Sequence, residues 1–217
     1  MSIVENGEIT RRGPGRPPVR SADETLGLIL DAASEEFRVV GYAGGGITAI
    51  ARRAGVSTKT LYRLIPTKAE LFRQVIRRRI GAFVLAMDAL EAGGDDVAVG
   101  LERLLTAYAT LALGSEAVAI QRLVVAECSR FPELGRAFLE DAVQKVSHLM
   151  ADWLERQCRR NLIRLDDPWL AAEMLRGMMI LEPQRAAMLD QAQLPDAAQI
   201  ADRAKACAKL FLNGCRA

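Results

Sequence analysis

Residues 48–72, TAIARRAGVSTKTLYRLIPTKAELF, decide the fold of this chain. Ala49, Ile50, Ala51 and Ala54 are the small apolar positions of a short helix. Gly55 supplies a tight turn, and Ser57 is placed to cap a second helix over residues 58–64. Leu61 and Leu64 turn inward at helical spacing, whereas Thr58, Lys59, Thr60, Tyr62 and Arg63 lie on the outer side. Pro66 stops that helix, and Thr67 with Glu70 has the S/T-x-x-E form of a capping box that starts another. Two short helices joined by a Gly turn, the second with a polar outer face, are the layout of a helix-turn-helix.

Upstream, Ser21 and Glu24 form a second capping-box pattern. Leu26, Ile29, Leu30, Ala33, Phe37 and Val40 follow at helical spacing, and Gly41 ends that helix. The glycine run at 44–46 predicts a loose connection into the next helix. Residues 1–20 are polar, rich in Gly, Pro and Arg, and read as a flexible arm. Downstream, Leu71, Phe72, Val75, Ile76, Ile80, Phe83, Val84, Met87 and Leu90 continue one apolar face for about six turns, ended by Gly93 and Gly94. Five further helices are predicted: roughly 96–113, 116–129, 132–160 opening at Pro132, 168–181 opening at Pro168, and 196–213. No strand alternation and no internal repeat is present. The expected class is all-α.

Half of the 217 residues are hydrophobic and about a quarter are charged, as in an ordinary soluble globular protein. No apolar run reaches the roughly 18 residues of a membrane span. The N-terminus lacks the apolar core of a secretory signal, so a cytoplasmic protein is expected. The formal net charge of +2 hides an asymmetry. Residues 1–80 hold 14 Lys/Arg against 8 Asp/Glu, and residues 81–217 hold 15 against 19. A basic N-terminal part suits a polyanion. Cys128, Cys158, Cys207 and Cys215 form no CxxC pair, and His148 is the single histidine. The scattered cysteines and lone histidine argue against a Cys/His zinc site and offer no specific nucleophile–base pair, and neither a metal nor a cofactor is expected.

Over residues 21–72 the chain resembles the TetR family of bacterial transcriptional regulators. The residues that carry the resemblance are Gly41 and Tyr42, Thr48 with Ile50 and Ala51, Ala54 to Ser57 in sequence, Leu61 and Tyr62, and Lys68 with Glu70 and Leu71. Ile65 stands where family members usually carry an aromatic, and the 44–46 glycine run is unusual. The resemblance implies a three-helix helix-turn-helix DNA-binding domain at 21–66 and a helical ligand-binding and dimerisation domain at 67–217, preceded by the arm at 1–20. It also implies a homodimer that binds double-stranded, roughly palindromic operator DNA and is released by a small-molecule effector. Two other readings stay open: a helical architectural or adaptor protein without a ligand, and a helical enzyme.

Thr58, Lys59 and Tyr62 match the family's DNA-contacting positions, with Thr60 and Arg63 flanking them; the alternative is a solvated polar face. Lys59 is suited to a guanine edge, Thr58 to a thymine methyl and Tyr62 to a phosphate or methyl. Thr48 and Lys68 sit at helix starts, where a phosphate is favoured, although simple capping would also explain them. In the arm, Gly15, Arg16 and Pro17 resemble the core of an AT-hook, with Arg16 in a narrow minor groove. Phe83, Met87, Tyr108, Arg122, Trp153, Met174 and Met178 are candidates to line the effector pocket or to form ordinary core. Arg122 and Glu127 either orient a polar ligand, pair with each other or face solvent. The dimer surface is expected from the last two helices, through Leu170, Met174, Gly177 and Leu181 on one and Ile200, Ala204, Cys207, Ala208 and Phe211 on the other.

Overall fold

A computed structural model describes residues 20–92 and 96–215 of the chain. The helices are α1 (Ala22–Gly44), α2 (Ile47–Ala54), α3 (Thr58–Leu64), α4 (Lys68–Ala92), α5 (Val97–Ala112), α6 (Ser115–Glu127), α7 (Pro132–Phe138), α8 (Lys145–Arg159), α9 (Pro168–Met188) and α10 (Ala197–Cys215). No β-strand forms among the described residues. No single described helix is long and apolar enough to cross a membrane.

The helix starts follow the capping chemistry of the sequence. Ser21 and Glu24 exchange both bonds of a capping box at α1, at 3.1 and 2.8 Å, a motif whose cap is worth about 1 kcal/mol. Ser57 accepts the Thr60 N–H at 3.0 Å at α3, and Thr67 accepts the Glu70 N–H at 3.0 Å at α4. Asp167 accepts from both Trp169 and Leu170 ahead of Pro168. Gly55 closes α2 in the left-handed region, at φ 68°, where a side chain would be strained.

Two cores hold these helices. The first packs α1, α2 and α3 on the start of α4: Ile29, Ala33, Phe37, Ile50, Leu61, Ile65 and Phe72 are all buried in it. Ile120 and Val124 of α6, with Leu134 and Ala137 of α7, complete the same cluster. The head therefore rests directly on the larger part of the molecule. The second core centres on α5, whose Leu101, Leu104, Leu105 and Ala109 are fully covered by α4, α8, α9 and α10.

Four expectations are corrected here. The 44–46 glycine run is tight rather than loose: Gly45 is buried, and a Cβ there would lie 2.9 Å from the Phe37 ring. The helix expected from Pro132 to about 160 is interrupted by a π-helical segment, Leu139–Gln144, whose wider turn presents Glu140 and Asp141 to Arg73 and Arg77 of α4 at 2.8–3.0 Å. α9 does not end near 181 but runs through Pro183 to Met188. Proline removes one helical N–H and loosens the turn before it. Five residues before Pro183, the Met178 carbonyl accepts two bonds from Arg203 of α10, at 3.0 and 2.7 Å. The fourth correction concerns α10. Ile200, Ala204, Cys207 and Ala208 are buried within the subunit, and Phe211 packs half-buried on the same core. Their small side chains let α10 approach α5 closely, so this stripe is used up inside the monomer.

Candidate nucleic-acid interface and effector cavity

α3 presents its outer side to solvent. Thr58, Lys59 and Arg63 are exposed, and Tyr62 keeps 51% of its surface open. Leu61 on the opposite side is fully buried, which fixes the rotation of the helix about its axis. Thr60 is committed elsewhere: its N–H and its hydroxyl both engage Ser57 Oγ, at 3.0 and 2.9 Å. Thr48 is exposed in the first turn of α2, whose cap residue Gly46 offers no side chain to the free N–H groups there. Arg20 brings its guanidinium beside Gly55, at the turn between α2 and α3. Arg16 and the remainder of the arm lie outside the described residues.

Lys68 is drawn inward. Its Nζ lies 4.7 Å from the centre of the Tyr42 ring and 3.5 Å from the Ala43 carbonyl. Burial pushes its pKa down, with Glu127 and Glu36 opposing the shift. The ammonium therefore serves first to hold the end of α1.

That end is the junction between head and body. Gly41 leaves the helix at φ 74°, ψ 177°, which frees the N–H groups of Tyr42 and Ala43. Both donate to the carboxylate of Glu127 at the end of α6, each at 2.8 Å. Glycine is required at 41 twice over: its φ is left-handed, and a Cβ would sit 2.6 Å from Glu127 Oε1. The Tyr42 ring then packs on Phe37 and Phe72 of the head and on Phe131 between α6 and α7. Its phenol faces Glu133 at 3.3 Å. Burial, with Glu133 and Glu127 close by, pushes the Tyr42 pKa up to about 12. Of the three roles open to Glu127 in the sequence, none is the one observed.

A cavity opens between α4, α5, α6, α8 and α9, with about 640 Å³ of unfilled space including its mouth. Its wall is mostly apolar, with Ile80, Leu111, Ile120, Phe138, Val146 and Ile180 prominent. The polar groups are Arg79, Tyr108, Gln121, Arg176 and Gln184. Among the expected pocket residues, Tyr108 lines this cavity. Phe83 lines a separate cleft between α1, α4 and α5.

The other five do not reach the cavity. Met87 and Trp153 are buried core, and Trp153 covers Gly100 so closely that a Cβ there would come within 2.9 Å of its ring. Met178 is half-buried against the same core. Met174 is exposed on the outer face of α9. Arg122 points away to the end of α9, donating to the Ala187 carbonyl at 2.7 Å and to Asp190 at 2.8 Å. The polar lining residues that sequence reasoning misses are Arg79, Gln121, Arg176 and Gln184, the last two on one face of α9 at positions i and i+8. That spacing was the available signal, but a solvated stripe has the same one.

Among the described residues no group of His, Cys, Asp or Glu could hold a metal ion. His148 is exposed, with Nδ1 2.7 Å from the Gln144 carbonyl.

Comparison with known proteins agrees with this arrangement. Residues 29–75 match the family model of bacterial regulatory proteins of the tetR family. Residues 99–214 match that of the AefR-like transcriptional repressor C-terminal domain. The chain is 40% identical over 81 residues to the HTH-type transcriptional activator FasR of Mycolicibacterium smegmatis, covering 34% of this chain and 37% of that protein. It thus spans little more than a third of the curated relative's length. A solved structure from Mesorhizobium loti, described as a TetR-family transcriptional regulator, superposes with a TM-score of 0.79 at 26% identity over 90% of this chain and 98% of that one. The flavonoid-responsive regulator FrrA superposes with a TM-score of 0.71 at 27% identity over the same shares. By its sequence, its helical architecture and these matches, the chain belongs to the TetR family of bacterial transcriptional regulators, DNA-binding proteins that are not enzymes.

Proposed function

We propose that the protein is a dimeric transcriptional repressor that binds a roughly palindromic operator through α3 and loses operator affinity when a small molecule fills the cavity. The observation that carries this reading is the uncovered Thr58, Lys59, Tyr62 and Arg63 face on a helix whose rotation is fixed by the buried Leu61. Lys59 and Thr58 address base edges, and Tyr62, Arg63 and Thr48 address the backbone. Lys68 and Thr60 act by holding the reading helices in place. Arg16, in the arm at 1–20, adds a minor-groove contact. The head at 21–66 and the body at 67–217 act as the two halves of the switch.

Dimerisation is assigned to the outer face of α9. Leu170, Met174 and Leu181 keep 47%, 58% and 55% of their surfaces exposed, with Gly177 open between them. Exposed apolar side chains on one helical face favour a two-fold helix-on-helix contact. The switch is built from shared elements. The cavity wall includes Ile76 and Arg79 of α4, Ile120 of α6, and Ala142 and Val143 of the π-helical segment. α4 starts beside the reading helix, and α6 ends at Glu127, which grips the end of α1. A ligand that prefers one arrangement of α4 and α6 biases the heads by that preference, and by no more. The AefR-like repressor match supports repression over activation, and the flavonoid response of FrrA supports a small-molecule signal.

Fluorescence anisotropy on promoter fragments flanking the protein's own gene tests the reading. A specific fragment should bind at least a hundredfold tighter than scrambled DNA of the same length, and a cavity ligand should release it. Equal affinity for all fragments would favour an architectural DNA-binding protein.

A further inference from the structure

Arg176 is a permanent cation in the cavity wall, and no acid balances it among the described residues. Its Nη1 donates to Ser147 Oγ at 2.6 Å, and its guanidinium lies 5.8 Å from the centre of the Tyr108 ring. Its Nε is buried and has no acceptor. The second arginine at the cavity, Arg79, is ion-paired with Glu116. No carboxylate pairs with Arg176 among the described residues. A guanidinium cannot shed its charge, and an unpaired one beside apolar walls attracts an anion strongly. Ser147 accepts from Arg176, so its oxygen adds no negative charge, and the Tyr108 phenol beside it carries a proton to donate. Burial pushes the Tyr108 pKa up, against the pull of Arg176, so the phenol keeps its proton.

We propose that this cavity is the site of an organic acid, whose carboxylate is held by Arg176 and whose apolar body lies against Ile120, Phe138 and Ile180. The proposal rests on the cavity being the effector site, and it adds the chemical class of the occupant. A carboxylate bound there pairs with the Arg176 guanidinium and accepts from the Tyr108 hydroxyl, both in the cavity wall. Gln184 donates to the Ala112 carbonyl at 3.3 Å, so its own carbonyl stays available to a polar substituent on the body.

The test is isothermal titration calorimetry on the full chain with matched pairs that differ only in the acid: decanoate against decan-1-ol, and 2-naphthoate against 2-naphthylmethanol. At least one acid should bind tenfold or more tightly than its alcohol. The pair that shows the gap tells whether the body is an aliphatic chain or a ring. Arg176→Met should erase the gap while leaving the alcohol's affinity unchanged, and Arg176→Lys, which keeps the charge, should retain part of it. Equal binding of acid and alcohol, binding of neither pair, or a gap that survives Arg176→Met overturns the proposal. Operator anisotropy separates this from the wider reading. An acid that binds through Arg176 without altering operator affinity supports the site and removes its effector role. Operator release by the alcohols alone keeps an effector cavity and overturns the acid.

Discussion

Replacing Glu127 by Ala removes the single carboxylate that accepts both N–H groups exposed by the break at Gly41. A hydrogen bond to a charged group contributes about 1.5–3 kcal/mol, and a buried donor left without an acceptor costs about 1–3 kcal/mol. The two bonds are not equal. Tyr42 is buried, so its N–H is orphaned by the change, whereas the Ala43 N–H is exposed and turns to water. The total loss is then about 2–3 kcal/mol. For a chain of this size that lowers the melting temperature by about 5–10 °C. The loss is local to the junction, so hydrogen exchange should report it best. Backbone amides at 42–45 should exchange about 30- to 150-fold faster, because each 1.36 kcal/mol is a factor of ten. Glu127→Gln keeps one acceptor and loses the charge, and should fall between the two. A Glu127→Ala protein whose melting temperature and junction exchange match the parent would refute the view that this carboxylate ties head to body.

Gly41→Ala should destabilise more than an ordinary surface change, by roughly 2 kcal/mol or more, because it combines left-handed strain with a 2.6 Å clash on Glu127; thermal unfolding checks it. The Tyr42 phenol gives a signed pH effect. Its folded pKa of about 12 lies above its ordinary value of 10, so the unfolded chain ionises first as pH rises. The stabilisation is fully present below pH 10 and is lost between 10 and 12. Tyr42→Phe should flatten that fall in melting temperature relative to the parent. Met174→Glu with Leu181→Glu should convert dimer to monomer in light scattering after size exclusion and leave the helical circular-dichroism signal intact.

The head was legible because its signals are local. Two S/T-x-x-E boxes, a Gly turn and inward Leu61 each act within one or two helical turns. The junction was not, since Glu127 meets Tyr42 across 85 positions of sequence and an acid in an apolar helix has several possible partners. The α10 stripe shows another limit. Small residues at helical spacing foretell a close contact but do not name the partner, and here the partner is α5 of the same chain. Met174 was assigned to both pocket and dimer because α9 is apolar nearly all round; packing alone turns it outward. Arg176 carries no local signal of its own, because only the packing of α4, α5 and α9 creates the cavity beside it. The π-helical segment has no proline or glycine within it to announce it.

DNA reading by α3 can be put to a direct test. The direct measurement is operator affinity by anisotropy, for the parent and for Lys59→Ala and Tyr62→Ala, with a footprint of the parent complex. A DNA-reading α3 on a two-fold dimer predicts two protected half-sites about one helical turn, or a multiple of it, apart. It also predicts that Lys59→Ala loses about 1–3 kcal/mol, roughly 5- to 150-fold, and discriminates less well among base changes in each half-site. Unchanged affinity and unchanged sequence preference in both variants would contradict it.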